Sequence, residues 1–156
     1  MAQNKGFSLD FNGFLDFAES IDELGKGDAL LEVVTEAIQK TKDFVNDEAE
    51  KALNSSAYSF DKGEHYSQGR ARASLEKVRQ MPVEVSGTVV TGYAGFDLAE
   101  APEVLPLAYG TPHLAKDTKL YNAIKVKGRV KKKVDELQRD IFTKALEQLV
   151  TEGGNG

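Results

Sequence analysis

His65 and His113 are the only histidines in the chain, and there is no cysteine. Neither histidine has a carboxylate or a second histidine at ligand spacing on a common helix face. A zinc site would have to gather its ligands from far apart in sequence, without a motif to mark them. His113 follows Pro112 in irregular chain, and both histidines read as loop or surface residues. A serine nucleophile needs a positioned base and a sharp strand-to-helix turn, and Ser67-Gln68-Gly69 and Ser86-Gly87 resemble no such elbow. Gly87, Gly92 and Gly95 fall in a strand-like run with neither a lysine-terminated phosphate loop nor a dinucleotide fingerprint around them. The carboxylates are abundant, but they fall on exposed helix faces, where solvation explains them. These residues nominate no catalytic, cofactor-binding or metal-ligating group, and the expectation is a protein that is not an enzyme.

The strongest local feature is basic: Lys125, Lys127, Arg129, Lys131, Lys132 and Lys133. Three readings stand beside one another. The stretch can contact phosphates with salt-dependent affinity, it can be a solvated helix start or a surface for an acidic partner, or it can line a DNA channel without sequence preference. No aromatic residue is interleaved with it to stack on bases. The whole chain carries a net charge of −5, unevenly spread. Residues 1–56 hold twelve carboxylates against five lysines, whereas residues 116–133 hold seven lysines, Arg129 and only Asp117. Such a dipolar molecule can dock head-to-tail on a copy of itself; the plainer reading is two solvated helix faces.

The elements that position these charges follow from periodicity. Phe7-Ser8-Leu9-Asp10-Phe11 alternates like a half-buried strand, and Phe14, Phe17, Ala18, Ile21 and Leu24 recur at helical spacing up to Gly25. Asp28 suits an N-cap. Beyond it Leu31, Val34, Ile38, Thr41, Val45, Ala49 and Leu53 form one stripe, opposite Glu32, Glu36, Lys40, Asp43, Asp47 and Glu50. Residues 57–69 read as a long central loop carrying Tyr58, Phe60 and Tyr66. Arg70–Gln80 forms a short helix with Ala71, Leu75 and Val78 inward. The strand region runs from Val83 through Thr91 and on through Tyr93-Ala94-Gly95-Phe96, with a turn or bulge at Ser86-Gly87. Pro102, Pro106 and Pro112 punctuate irregular chain with at most a short helix or strand, and from Asp117 the pattern is helical again, interrupted at Gly128.

This predicts an α+β fold: an antiparallel β-sheet packed against a long helix of the N-terminal half and a C-terminal helix. One domain spans 7–150, between a flexible 1–6 and a disordered 151–156. At 156 residues the core needs no staple. No apolar run reaches the roughly 18 residues of a membrane span, and residues 1–6 lack a signal pattern, so a cytoplasm-made protein without membrane contact is expected.

Tyr93-Ala94-Gly95-Phe96-Asp97-Leu98, followed by Leu105-Pro106-Leu107-Ala108-Tyr109-Gly110-Thr111-Pro112, resembles the small tail-component family of long-tailed bacteriophages, the neck, tail-completion or head–tail joining proteins. Ser67 to Leu75 is similar to that family's Gly-containing segment before the strands, and Leu9-Asp10-Phe11-Asn12-Gly13-Phe14 to its opening. The likeness runs in order over roughly residues 7–150. It departs at Tyr109, where the family carries an acidic residue, and at His113-Leu114. The motif residues here are Gly95, Phe96, Tyr109, Gly110, Thr111 and Pro112. The resemblance implies a structural virion component made in the host bacterial cytoplasm, assembling as a cyclic homo-oligomer against neighbouring connector and tail proteins, with non-specific contact to DNA in the channel. The interface candidates are then Glu32, Glu36, Asp43, Asp47 and Glu50 on one side and Lys127, Lys131, Lys132 and Lys133 on the other. Tyr58, Phe60 and Tyr66 either order on a neighbour or pack back on the domain. Two alternatives remain: a nucleic-acid-binding module using 125–133, and an adaptor or inhibitor of one host protein.

Overall fold

The computed structural model describes residues 27–56, 69–87, 89–125 and 127–153. The expected strand at 7–11, the helix ending near Gly25, residues 57–68 and the last three residues lie outside these.

Helix α1, Gly27–Asn54, is 28 residues long, with Asp28 in its first turn and Lys51 in its last, each charge matched to the helix dipole. Asp28 therefore sits inside the helix and is not its cap. Val45, Ala49 and Leu53 are buried as the stripe requires, while Leu31, Val34 and Ile38 are half-buried. Burial also extends off the stripe, to Ala37, Lys42, Asn46, Glu48 and Ala52. The cause is company on several sides.

Helix α2, Gly69–Gln80, buries Ala71, Ser74, Leu75 and Val78, three and four residues apart, against α1. Helices α3 (Val104–Tyr109), α4 (Thr118–Ile124) and α5 (Arg129–Gly153) follow. Helix α5 runs antiparallel to α1: Arg129 meets Glu48, Val130 and Val134 meet Val45, and Gln138 Nε2 donates to Thr41 Oγ1 at 2.9 Å. The larger core joins Ala49, Ala52 and Leu53 of α1 to Leu75, Val104, Leu107 and Leu120 from α2, α3 and α4. Small residues along α1 let these helices approach closely.

Strands β1 (Glu84–Ser86) and β2 (Val89–Thr91) pair antiparallel with Val85 opposite Val90, turning through Gly87 at φ 61°. The pair lies against α1 through β2. The fold is α+β with a long N-terminal-half helix and a C-terminal helix, and most of its buried surface is helix against helix.

Two expectations need correction. The strand does not continue through Tyr93–Phe96, because Gly95 adopts φ 89° and donates its N–H to the buried Asn46 Oδ1 at 2.9 Å. A side-chain acceptor on α1 replaces the ladder there. Nor is the chain disordered from residue 151: α5 reaches Gly153, since Thr151 and Glu152 do not break a helix and glycine does.

Gly92 passes close to α1, where an added Cβ would lie 2.6 Å from Ile38 Cγ2. That atom belongs to a β-branched side chain with little freedom to move. Gly92→Ala is expected to destabilise by about 1–3 kcal/mol, read as a lower urea midpoint at unchanged slope. An unchanged midpoint would mean that this approach is not tight.

Candidate functional site

A basic, aromatic surface is assembled by the chain from α3 to α4. Gly110 leaves α3 at φ 77°, and a Cβ there would lie 3.0 Å from Leu114 O and from Lys116 N, so glycine is required. Thr111 and Leu114 then exchange backbone hydrogen bonds of 2.9 and 3.1 Å. His113 N–H donates to Thr111 Oγ1, and Asp117 N–H returns to Leu107 O at 3.0 Å. Asp117 caps α4 by accepting from Lys119 N and Leu120 N, and Ser56 Oγ, just past α1, donates to its other oxygen. This turn is the physical content of Gly110-Thr111-Pro112.

The turn sets Tyr109 edge-on to Tyr121, ring centres 5.2 Å apart at 85°. Lys116 Nζ stands 3.3 Å from the Tyr121 ring centre and Lys125 Nζ 5.4 Å from it. Each such cation–ring contact stabilises by about 0.5–1 kcal/mol at an exposed site. Leu105 and Tyr109, one turn apart on α3, are 42% and 56% exposed. Lys119 reaches across to donate to Ser55 O, which ties this surface to the C-terminal end of α1. No aromatic residue is interleaved with the lysines of 125–133 in the sequence. Tyr121 was legible as the residue one helical turn before Lys125, but Tyr109 joins it only through the fold.

The predicted acidic residues divide. Asp47 and Glu50 both bind Arg79 of α2, at 3.1 and 2.7 Å. Glu36 pairs with Lys40 on its own helix, and Asp43 accepts from Gln39. Glu32 has no hydrogen bond or ion pair among the described residues. Among the predicted lysines, Lys131 pairs with Asp135 at 2.7 Å, while Lys127, Lys132 and Lys133 make no ion pair among the described residues. The structure does not bring the acidic and basic candidates together. Arg129 and Glu48, outside both sets of interface candidates, are the pair that joins α5 to α1. Tyr58, Phe60 and Tyr66 lie outside the described residues, as does His65. His113 is exposed.

Of the motif residues, Gly95 is held by Asn46 and Phe96 packs on the larger core, whereas Tyr109, Thr111 and Pro112 are exposed. Among the described residues, no group of three or more His, Asp or Glu side chains is placed to hold a metal, and no helix is long and apolar enough to cross a membrane. No family model, no curated protein and no solved structure matches the chain.

Glu48 carries the clearest electrostatic signature. Burial pushes its carboxyl up, but hydrogen bonds from Lys51 and Arg129, together with their charges, outweigh burial and hold it below its ordinary range. A carboxyl lowered in the folded state adds stability above its unfolded value of about 4.3, lost as pH falls through the folded one. Glu48→Gln is expected to cost about 1–3 kcal/mol at pH 7, with the two proteins converging under acid. Urea melts at neutral and acid pH check this; a gap that ignores pH would contradict it.

Proposed function

We propose that the chain is a structural assembly subunit of a long-tailed bacteriophage, working in the neck or tail-completion region and joining its neighbours as part of a ring. One observation carries the reading. The stretch whose sequence resembles the tail-component family displays Tyr93, Leu98, Leu105 and Tyr109 at 37–56% exposure. Single exposed apolar residues are ordinary. Here four large ones come from one short stretch, two of them share a helix face, and Lys116 and Lys125 stand on Tyr121 beside Tyr109, which suits a docking surface with a polar rim.

The same stretch also has rigid backing. Gly95 and Gly110 take backbone forms other residues rarely adopt, Gly95 N–H is held by Asn46, and Thr111 and Leu114 bond each other across the turn. Docking onto a preformed surface loses little conformational entropy on association.

Nucleic-acid binding is the second reading, favoured by Tyr121 standing among lysines. Two of its six nominated cations are spoken for, Arg129 by Glu48 and Lys131 by Asp135. That weakens the 125–133 stretch as a phosphate track and favours the assembly reading.

The test is made in the virion. Mass spectrometry of purified particles is expected to find this chain in stoichiometric amount. Reversing charge at Lys131, Lys132 and Lys133 to Glu is expected to block head–tail joining while the monomer melts within a few degrees of wild type, since surface changes shift stability by about 0.5 kcal/mol. Particles that lack the chain, or normal joining with the triple reversal, would contradict the reading.

A further inference from the structure

Helix α1 carries its unbalanced charge at one end. Its first turns and the adjoining strand line a shallow groove that includes Leu31 and Val85 between Asp28, Glu32, Glu36 and Asp43, with Lys40 its one basic residue among the described residues. Val85 is 48% exposed and Leu31 half-buried, so apolar surface is open among the carboxylates. The lysine–tyrosine surface has the opposite make-up: Leu105 and Tyr109 open to solvent, with Lys116 and Lys125 over Tyr121. At about 1.5 Å per residue, Glu32 lies roughly 35 Å along α1 from Ser55, to which Lys119 is bound. The two surfaces therefore sit at opposite ends of one rigid helix.

We infer that the groove of one copy receives the lysine–tyrosine surface of a second copy. The inference rests on the assembly reading and names its contact. Apolar side chains meet apolar side chains, each ringed by charges of opposite sign, which also guides the approach. Because the surfaces differ and lie apart, a single head-to-tail contact leaves one surface free at each end, so it can repeat into a ring or a filament. Exposed charges are screened within about 8 Å at physiological salt, so association weakens as salt rises. The lysines of this copy-to-copy contact are Lys116 and Lys125; the run at 131–133 lies outside it.

The full chain tests it by sedimentation at low and high salt. Wild type is expected to form species larger than a dimer at low salt. Glu32→Lys with Glu36→Lys removes the groove, and Lys116→Glu with Lys125→Glu removes the other surface. Each variant alone is expected to be monomeric, its association weakened more than about tenfold. Mixed in equal amounts they keep one native contact, and the two reversed surfaces are again opposite in sign, so assembly into alternating 1:1 species is expected to return. If the second variant does not fold, Leu105→Glu, at an exposed position of the same surface, serves in its place.

A variant that assembles like wild type, or a mixture that stays monomeric, overturns this contact and leaves the assembly reading to the virion experiment. A wild type monomeric at its highest soluble concentration overturns self-association. If that monomer binds an oligothymidine probe and Lys116→Glu with Lys125→Glu abolishes binding, the surface belongs to nucleic acid and the inference falls.

Discussion

The structure depends on how the polar residues buried along the C-terminal half of α1 are satisfied. Three helices close around residues 41–53, so Thr41, Lys42, Asn46 and Glu48 lose water. A buried polar group without a partner costs several kcal/mol, and an unpaired charge more. Each of the four therefore has a directed bond to a different part of the chain. Lys42 Nζ donates to Arg79 O and Met81 O, the bare carbonyls at the end of α2. Asn46 fixes Gly95 through its Oδ1 while its buried Nδ2 has no partner among the described residues, Glu48 holds Arg129, and Thr41 accepts from Gln138. Apolar packing alone would tolerate sliding along α1. These bonds fix one register.

The same arrangement decides which charges face outward. Arg79 takes up Asp47 and Glu50, and Lys77 engages Glu100 and Asp97, which raises the Lys77 ammonium above its usual range, the Glu100 hydrogen bond foremost. At this end of α1 acids are matched to the cations of the next helix. Toward Gly27 no described helix supplies such cations, and the carboxylates of the first turns remain in surplus. The dipolar character of the chain is thus sharper in space than in sequence, since half of the acidic helix is already neutralised. At its far end the Gly110 turn and the Asp117 cap gather lysines about Tyr121. Rigid helices hold the two charged ends apart, which suits a subunit that meets its neighbours by shape and charge.

The helices were legible because their apolar residues recur every three to four positions. The stripe from Leu31 to Leu53, the inward Ala71, Leu75 and Val78, the break at Gly128 and the return at Val130 and Val134 all reflect one buried face per helix. The enclosure of α1 was not legible. Lys42, Asn46 and Glu48 look like solvent residues, and only the arrival of α2, α5 and the Gly95 turn buries them. The end of the strand before Tyr93 was hidden for the same reason, since its cause is a side chain almost fifty residues away in sequence. For the site, the lysines were visible as composition. Their aromatic centre was not, because Tyr109 and Tyr121 belong to different helices joined by a tight turn. The division of acidic candidates into matched and surplus was likewise invisible, because Arg79 pairs with α1 through tertiary contact.

If bonds from buried polar side chains hold α1 at its centre while its first turns stay available, hydrogen exchange along that helix must be uneven. The account predicts that amides of residues 41–53 exchange only through global unfolding, whereas those of the first three turns open locally at distinctly lower free energy. Residue-resolved exchange on the isolated chain measures this directly. Even protection from one end of α1 to the other, or the slowest exchange in its first turns, would contradict it.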